Sequence, residues 1–126
     1  MGKKKAKADA ALIQACIGGE TRQVLTMVEN QFDIAAADAQ GNHPLVAAAY
    51  AGHLELVRAL CERGAPLELA NGIGTTALWL SAGYGHVEVL RYLIERGADV
   101  NAPNSTRDTP MLAAASKGHA ECVAVL

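Results

Sequence analysis

Apolar residues recur along this chain in short bursts of helical spacing, and the bursts themselves recur. Leu54, Val57 and Leu60 follow one another at three-residue steps, and Val87, Leu90 and Leu93 repeat the pattern. That is the stripe of an amphipathic helix. Glu55 with Arg58, and Glu88 with Arg91, stand one turn apart on the solvent side of the same stretches. Between them lie alanine clusters, Ala47-Ala48-Ala49 and Ala113-Ala114-Ala115, and alanine on a helix face lets a neighbouring helix come close. The apolar ladder Leu45, Leu78 and Met111 has a period of 33 residues, and so do Gly52, Gly85 and Gly118, His53, His86 and His119, and Glu55, Glu88 and Glu121. One period is therefore one structural unit of two helices. First helices are predicted near residues 9–17, 43–50, 76–83 and 109–116, and second helices near 21–30, 54–62, 87–95 and 120–126.

Local chemistry marks the boundaries. Thr76 and Thr109 can each cap a helix, and Pro110 suits a first helical position, where its missing N–H would be unsatisfied anyway. Asp9 is the substitute cap of the first helix. Gly64 and Gly97 close second helices with a left-handed residue. Each hairpin has one apolar face too small to stand alone, and stacking buries it. The first unit is the least regular: Leu12, Ala15 and Gly19 hold register, but Glu20 replaces the histidine and Gln31 the closing glycine, as befits a terminal repeat facing water.

These residues resemble the ankyrin family. Thr109-Pro110-Met111-Leu112-Ala113-Ala114-Ala115 matches its Thr-Pro-Leu-His-x-Ala-Ala signature. His43-Pro44-Leu45-Val46-Ala47-Ala48-Ala49 and Thr76-Ala77-Leu78-Trp79-Leu80-Ser81-Ala82 are looser copies. Gly52-His53-Leu54-Glu55, Gly85-His86-Val87-Glu88 and Gly118-His119-Ala120-Glu121 match the linker between paired helices, and Gly97-Ala98-Asp99-Val100-Asn101 the repeat ending. The resemblance implies an all-α ankyrin-repeat solenoid of stacked helix-turn-helix hairpins with extended β-turn fingertip loops. A basic, disordered N-terminus at residues 1–8 is expected to precede a repeat domain at 9–126, with repeats at about 9–37, 38–70, 71–103 and 104–126, the fourth cut short. Leu93 with Asp99-Val100-Asn101 also resembles a site that asparaginyl hydroxylases modify in such proteins, but it is read here as the repeat's own ending.

Composition narrows the function. Of 126 residues, 51% are apolar but only 4% aromatic, and the formal charge is −2, so no overall field favours nucleic acid or an anionic membrane. No apolar run approaches the roughly 20 residues of a membrane-spanning helix. Cys16, Cys61 and Cys122 are odd in number and widely spaced. They read as small buried residues in a reducing compartment, not as a disulfide framework or metal ligands. Histidines one repeat apart on packed helices lie roughly 8–10 Å apart, too far to share a zinc ion, so each ring is expected to bond backbone near the interhelical turn. Gly72-Ile73-Gly74-Thr75-Thr76-Ala77 imitates a dinucleotide fingerprint without the βαβ unit it needs, and it reads as a turn. Asn104-Ser105-Thr106 is a glycosylation sequon, but no secretory leader is expected, so it reads as a polar loop tip. Lys3, Lys4, Lys5 and Lys7 are expected to form a solvated tail, with a nuclear-import or anionic-surface patch as the alternative. No nucleophile with a base, no acid/base carboxylate pair and no phosphate loop is present. The chain is expected not to be an enzyme, and to need no cofactor or metal.

The family resemblance implies a partner bound along a concave surface of fingertips and first-helix faces. By register the fingertips are Ala39, Gln40 and Asn42, then Gly72, Ile73 and Thr75, then Ser105, Thr106 and Asp108, and the helix positions are Tyr50, Ala51, Gly83, Tyr84, Ser116 and Lys117. These positions are free of stacking duty. Tyr50 and Tyr84 carry the most weight, because tyrosine suits interfaces and is out of place on a bare helix. Arg107 stands where the other fingertips have Gly41 and Gly74, so the third fingertip is expected to differ in shape. Trp79 either anchors the partner or fills space between repeats. The expected function is protein–protein interaction in the cytoplasm or nucleus, with no membrane partner and only the lysine tail arguing for nucleic acid. The alternative is the targeting or regulatory arm of a larger protein whose catalytic domain lies beyond residue 126. The second helix of the last repeat has no glycine cap, so the chain is expected to be a fragment, or to have its last face covered by another chain.

Overall fold

The protein is described by a computed structural model covering residues 2–30 and 33–126, with side chains from residue 9 onward. Along it run α1 (Gly2–Ile17), α2 (Thr21–Glu29), α3 (Pro44–Ala51), α4 (Leu54–Glu62), α5 (Ala77–Gly83), α6 (Val87–Glu95), α7 (Pro110–Ser116) and α8 (Ala120–Val125). The odd-numbered helices pack side by side in one layer and the even-numbered ones in a second, each hairpin touching its neighbours in sequence. The only sheet-like pairing among the described residues is an isolated bridge between Ala70 and Thr76. This is the all-α solenoid of stacked hairpins that the repeats imply. Gln31, where the first repeat lacks its closing glycine, lies outside the described residues.

The caps form as their residue types dictate. The hydroxyls of Thr76 and Thr109 accept from the backbone N–H of Trp79 and Leu112, each at 3.2 Å. Gly64 has φ +86°, and behind it Gly64 N–H donates to Cys61 and Ala65 N–H to Leu60, both at 3.0 Å, closing α4 with a left-handed glycine. Between the layers, Ala48, Ala49, Ala82 and Ala114 are wholly buried beside Leu56, Val57, Leu60, Leu90 and Leu93, so small first-helix residues let the second-helix stripes close on them.

Histidines tie one hairpin to the next. The ring Nε2–H of His53 donates to the Ile17 carbonyl at 2.7 Å, and that of His86 to the Tyr50 carbonyl at 2.9 Å. The partner is thus the preceding hairpin, one joint further than the turn itself. Glycine is required beneath each ring: a Cβ at Gly19, Gly52 or Gly85 would come within 2.7, 2.5 and 2.7 Å of His53, His86 and His119.

Several expectations need correcting. α1 starts at Gly2, so residues 2–8 of the stretch expected to be a disordered tail are helical, and Asp9 lies inside the helix and does not cap it. Lysine and alanine are good helix formers, which carries the helix back through 3–8. The Glu55–Arg58 and Glu88–Arg91 neighbours do not close into ion pairs. The one salt bridge among the described residues is Arg63–Glu29 at 3.7 Å, while Arg58 lies 5.6 Å from the ring centre of Tyr92. In the last hairpin, Leu112 is 55% exposed where its counterpart Val46 is 1%. Val123 and Leu126 are only half-buried, because that hairpin has a neighbour on one side only.

Candidate partner-binding groove

Each fingertip is built by one side chain. Asp38 Oδ1 accepts from the backbone N–H of Gln40 and Asn42, both at 2.9 Å. Asn71 Oδ1 does the same for Ile73 and Thr75, at 3.1 and 3.0 Å, and Asn104 Oδ1 for Thr106 and Asp108, both at 3.0 Å. Asp38, Asn71 and Asn104 are 33 residues apart, a ladder that the sequence reading missed although its period was on the page. Successive fingertips are also joined by main chain, with Gly72 N–H donating to the Gln40 carbonyl at 3.1 Å and Ser105 N–H to that of Ile73 at 3.0 Å. The loops therefore form a held edge.

Arg107 takes the shape its counterparts take. Its φ is +67°, beside +79° for Gly41 and +74° for Gly74, and its N–H donates to the Asn104 carbonyl at 3.0 Å as theirs do at the equivalent turn. The third fingertip does not differ in shape as expected, because the Asn104 bonds fix the backbone whatever residue follows. Thr75 also departs from expectation: it is 1% exposed, not free. Both its N–H and its carbonyl are tied to Asn71, which turns the side chain under the loop, where its hydroxyl has no hydrogen-bond partner among the described residues.

Between the fingertips and the first helices lies a cleft of about 310 Å³. It gathers seven of the eleven residues singled out from sequence: Asn42, Tyr50, Ile73, Thr75, Trp79, Tyr84 and Lys117. Ile17, Ala47, Asn71 and Leu80 complete the lining; nothing in the sequence distinguished the three apolar ones from core positions. Gln40, Thr106, Arg107 and Asp108 lie outside the cleft, exposed on the fingertips. Tyr50 and Tyr84 are 44% and 45% exposed, and Ile73 64%. Their rings stack edge to face with centroids 4.9 Å apart, and the Lys117 ammonium lies 4.5 Å from the centre of the Tyr84 ring. Trp79 is half-buried, packs its ring against Gly83, and donates its indole N–H to the Asp108 carbonyl at 2.9 Å. It both spans two repeats and walls the cleft.

Chemistry elsewhere is quiet. Burial pushes the thiols of Cys16, Cys61 and Cys122 up, that of Cys16 to about 12. All three are free and buried, not reactive nucleophiles. Among the described residues no group of three His, Cys, Asp or Glu side chains is placed to hold a metal ion, and no helix is long and apolar enough to cross a membrane.

A family model for ankyrin repeats, in three copies, matches residues 1–71 and again residues 64–126. The matches span the chain, and the protein belongs to the ankyrin-repeat family. Ankyrin repeats are generally protein–protein interaction modules without catalytic machinery of their own. A search of curated proteins found no match.

Proposed function

We propose that this protein binds another protein through its concave surface, with the Tyr50–Tyr84 pair at the centre of the interface. The observation that carries the reading is the pair itself: two tyrosines, both nearly half exposed and in contact, beside an open cleft. Aromatic side chains left at a surface in a cluster are what interface hot spots are made of. The same surface serves whether the module acts alone or as the targeting arm of a larger protein, and a reducing compartment, cytoplasmic or nuclear, suits its three free thiols.

A partner captured from the native cell supplies the test. Tyr50→Ala and Tyr84→Ala are each expected to weaken binding by about 1–2 kcal/mol with the helical content unchanged. Arg58→Ala, on the convex second-helix layer, is the control and is expected to leave binding alone. Equal loss from Arg58→Ala moves the site off the concave surface.

A further inference from the structure

From α3 onward the first-helix layer is almost without charge. α3, α5 and α7 contain no charged residue, whereas α4 and α6 carry Glu55, Arg58, Glu62, Glu88, Arg91 and Glu95. Just past α7 stands one cation, Lys117, exposed beside the Tyr84 ring and in no ion pair among the described residues. No carboxylate lines the cleft. Asp108 reaches its edge through the carbonyl that Trp79 holds, but the Asp108 carboxylate accepts from the Thr106 hydroxyl at 3.2 Å. At about 310 Å³ the cleft is at the small end of ligand sites, on the scale of one or two bulky side chains. Its walls are mainly aromatic and aliphatic, with Asn42 and Asn71 among them, and Thr75, whose hydroxyl has no partner among the described residues, is part of the lining.

We infer that the cleft receives a bulky apolar side chain of an extended peptide, and that Lys117 pairs with a carboxylate next to that side chain. This names the partner's chemistry and rests on the concave surface being the binding face. The apolar group displaces water from Tyr50, Ile73 and Trp79. The carboxylate meets the one charged side chain among the described residues lining the cleft, on walls of low polarity, where attraction is stronger than in open water. A basic neighbour would set like charges against each other, so the arrangement selects as well as binds.

Trp79 is the only tryptophan in the chain and lines the cleft, so its emission reports occupancy. The probes are short synthetic peptides with a central phenylalanine, flanked by aspartate and glutamate, by lysine, or by alanine. A further peptide carries no acidic side chain but a free C-terminal carboxylate beside the phenylalanine, which separates the two sources of the anion. An acid-flanked or carboxylate-ended peptide is expected to shift Trp79 emission and to bind about tenfold tighter than the lysine-flanked one. Lys117→Glu is expected to reverse that order, Lys117→Ala to abolish the preference, and Lys117→Arg to keep it. Rising salt should narrow the difference. Equal binding of acidic and basic peptides, or a preference that survives Lys117→Glu, overturns the inference. A native partner lost on Tyr50→Ala yet indifferent to Lys117→Glu overturns it too, and leaves the concave reading standing. A partner indifferent to both tyrosines removes the concave reading itself.

Discussion

Arg107 adopts a left-handed backbone that its two counterparts reach as glycines. For a residue with a Cβ this conformation costs about 1–2 kcal/mol, and such strain persists where surrounding bonds over-determine the backbone. Here the Asn104 bonds do so. Arg107→Gly is therefore expected to stabilise the fold by roughly 0.5–1 kcal/mol, the relieved strain exceeding the added chain entropy of glycine. Urea unfolding midpoints check it, and a variant no more stable than the parent shows that the arginine is unstrained. At this scale much was illegible. Thr75 looked free because its burial depends on bonds to Asn71 four residues back, and Trp79 looked like an anchor or a spacer because its indole partner, Asp108, lies 29 positions away. Thr76 and Thr109 were legible because a cap needs only its own first turn.

The hairpins were readable because their signals are local and repeated. Glycine before histidine, threonine or proline at a helix start, and an apolar step of three residues placed most helix ends within a residue or two of where they fall. The exception is α1, whose start has no capping signal and is carried by the helix preference of lysine and alanine alone. The fingertips were less legible, since polar loop residues look alike until one of them is seen to accept two amides. Asn71 is such a residue, and Asn71→Ala strips partners from Ile73 and from the half-buried N–H of Thr75. The expected loss is about 1–2 kcal/mol. Asn71→Asp keeps the acceptor, as Asp38 does in the repeat before, and should stay within a few tenths of the parent on thermal unfolding. If the alanine variant unfolds with the parent, the loop is held by its main-chain bonds and not by this side chain.

Across the whole molecule, stability is a sum over hairpins and the joints between them. α3 to α6 are packed on both sides, while the first and last hairpins have neighbours on one, and of their second helices α8 is the shorter, six residues beside nine in α2, and buries only Cys122 fully. Opening should then start at that end. In native-state hydrogen exchange the amides of α8 are expected to exchange fastest and those of α4 and α6 slowest, near the global limit. Protection of α8 equal to that of α6 would mean that the protein opens as one unit.

The rings seated on Gly19, Gly52 and Gly85 also give the stack a polarity. Each joint takes a histidine from one hairpin and a glycine from the other, so the two sides of a hairpin are not alike. Gly118, the next such seat, has nothing within 4 Å. A second copy approaching it with its own first hairpin brings Glu20, at the position where later hairpins have histidine. An ionised glutamate can only accept, and here it meets the Ser116 carbonyl, which occupies the register position where the carbonyls of Ile17 and Tyr50 receive a ring N–H. Copies joined head to tail in this way are the heterologous kind of contact that runs on into filaments. By setting acceptor against acceptor, Glu20 makes such a joint between copies less favourable than the histidine-bonded joints within the chain.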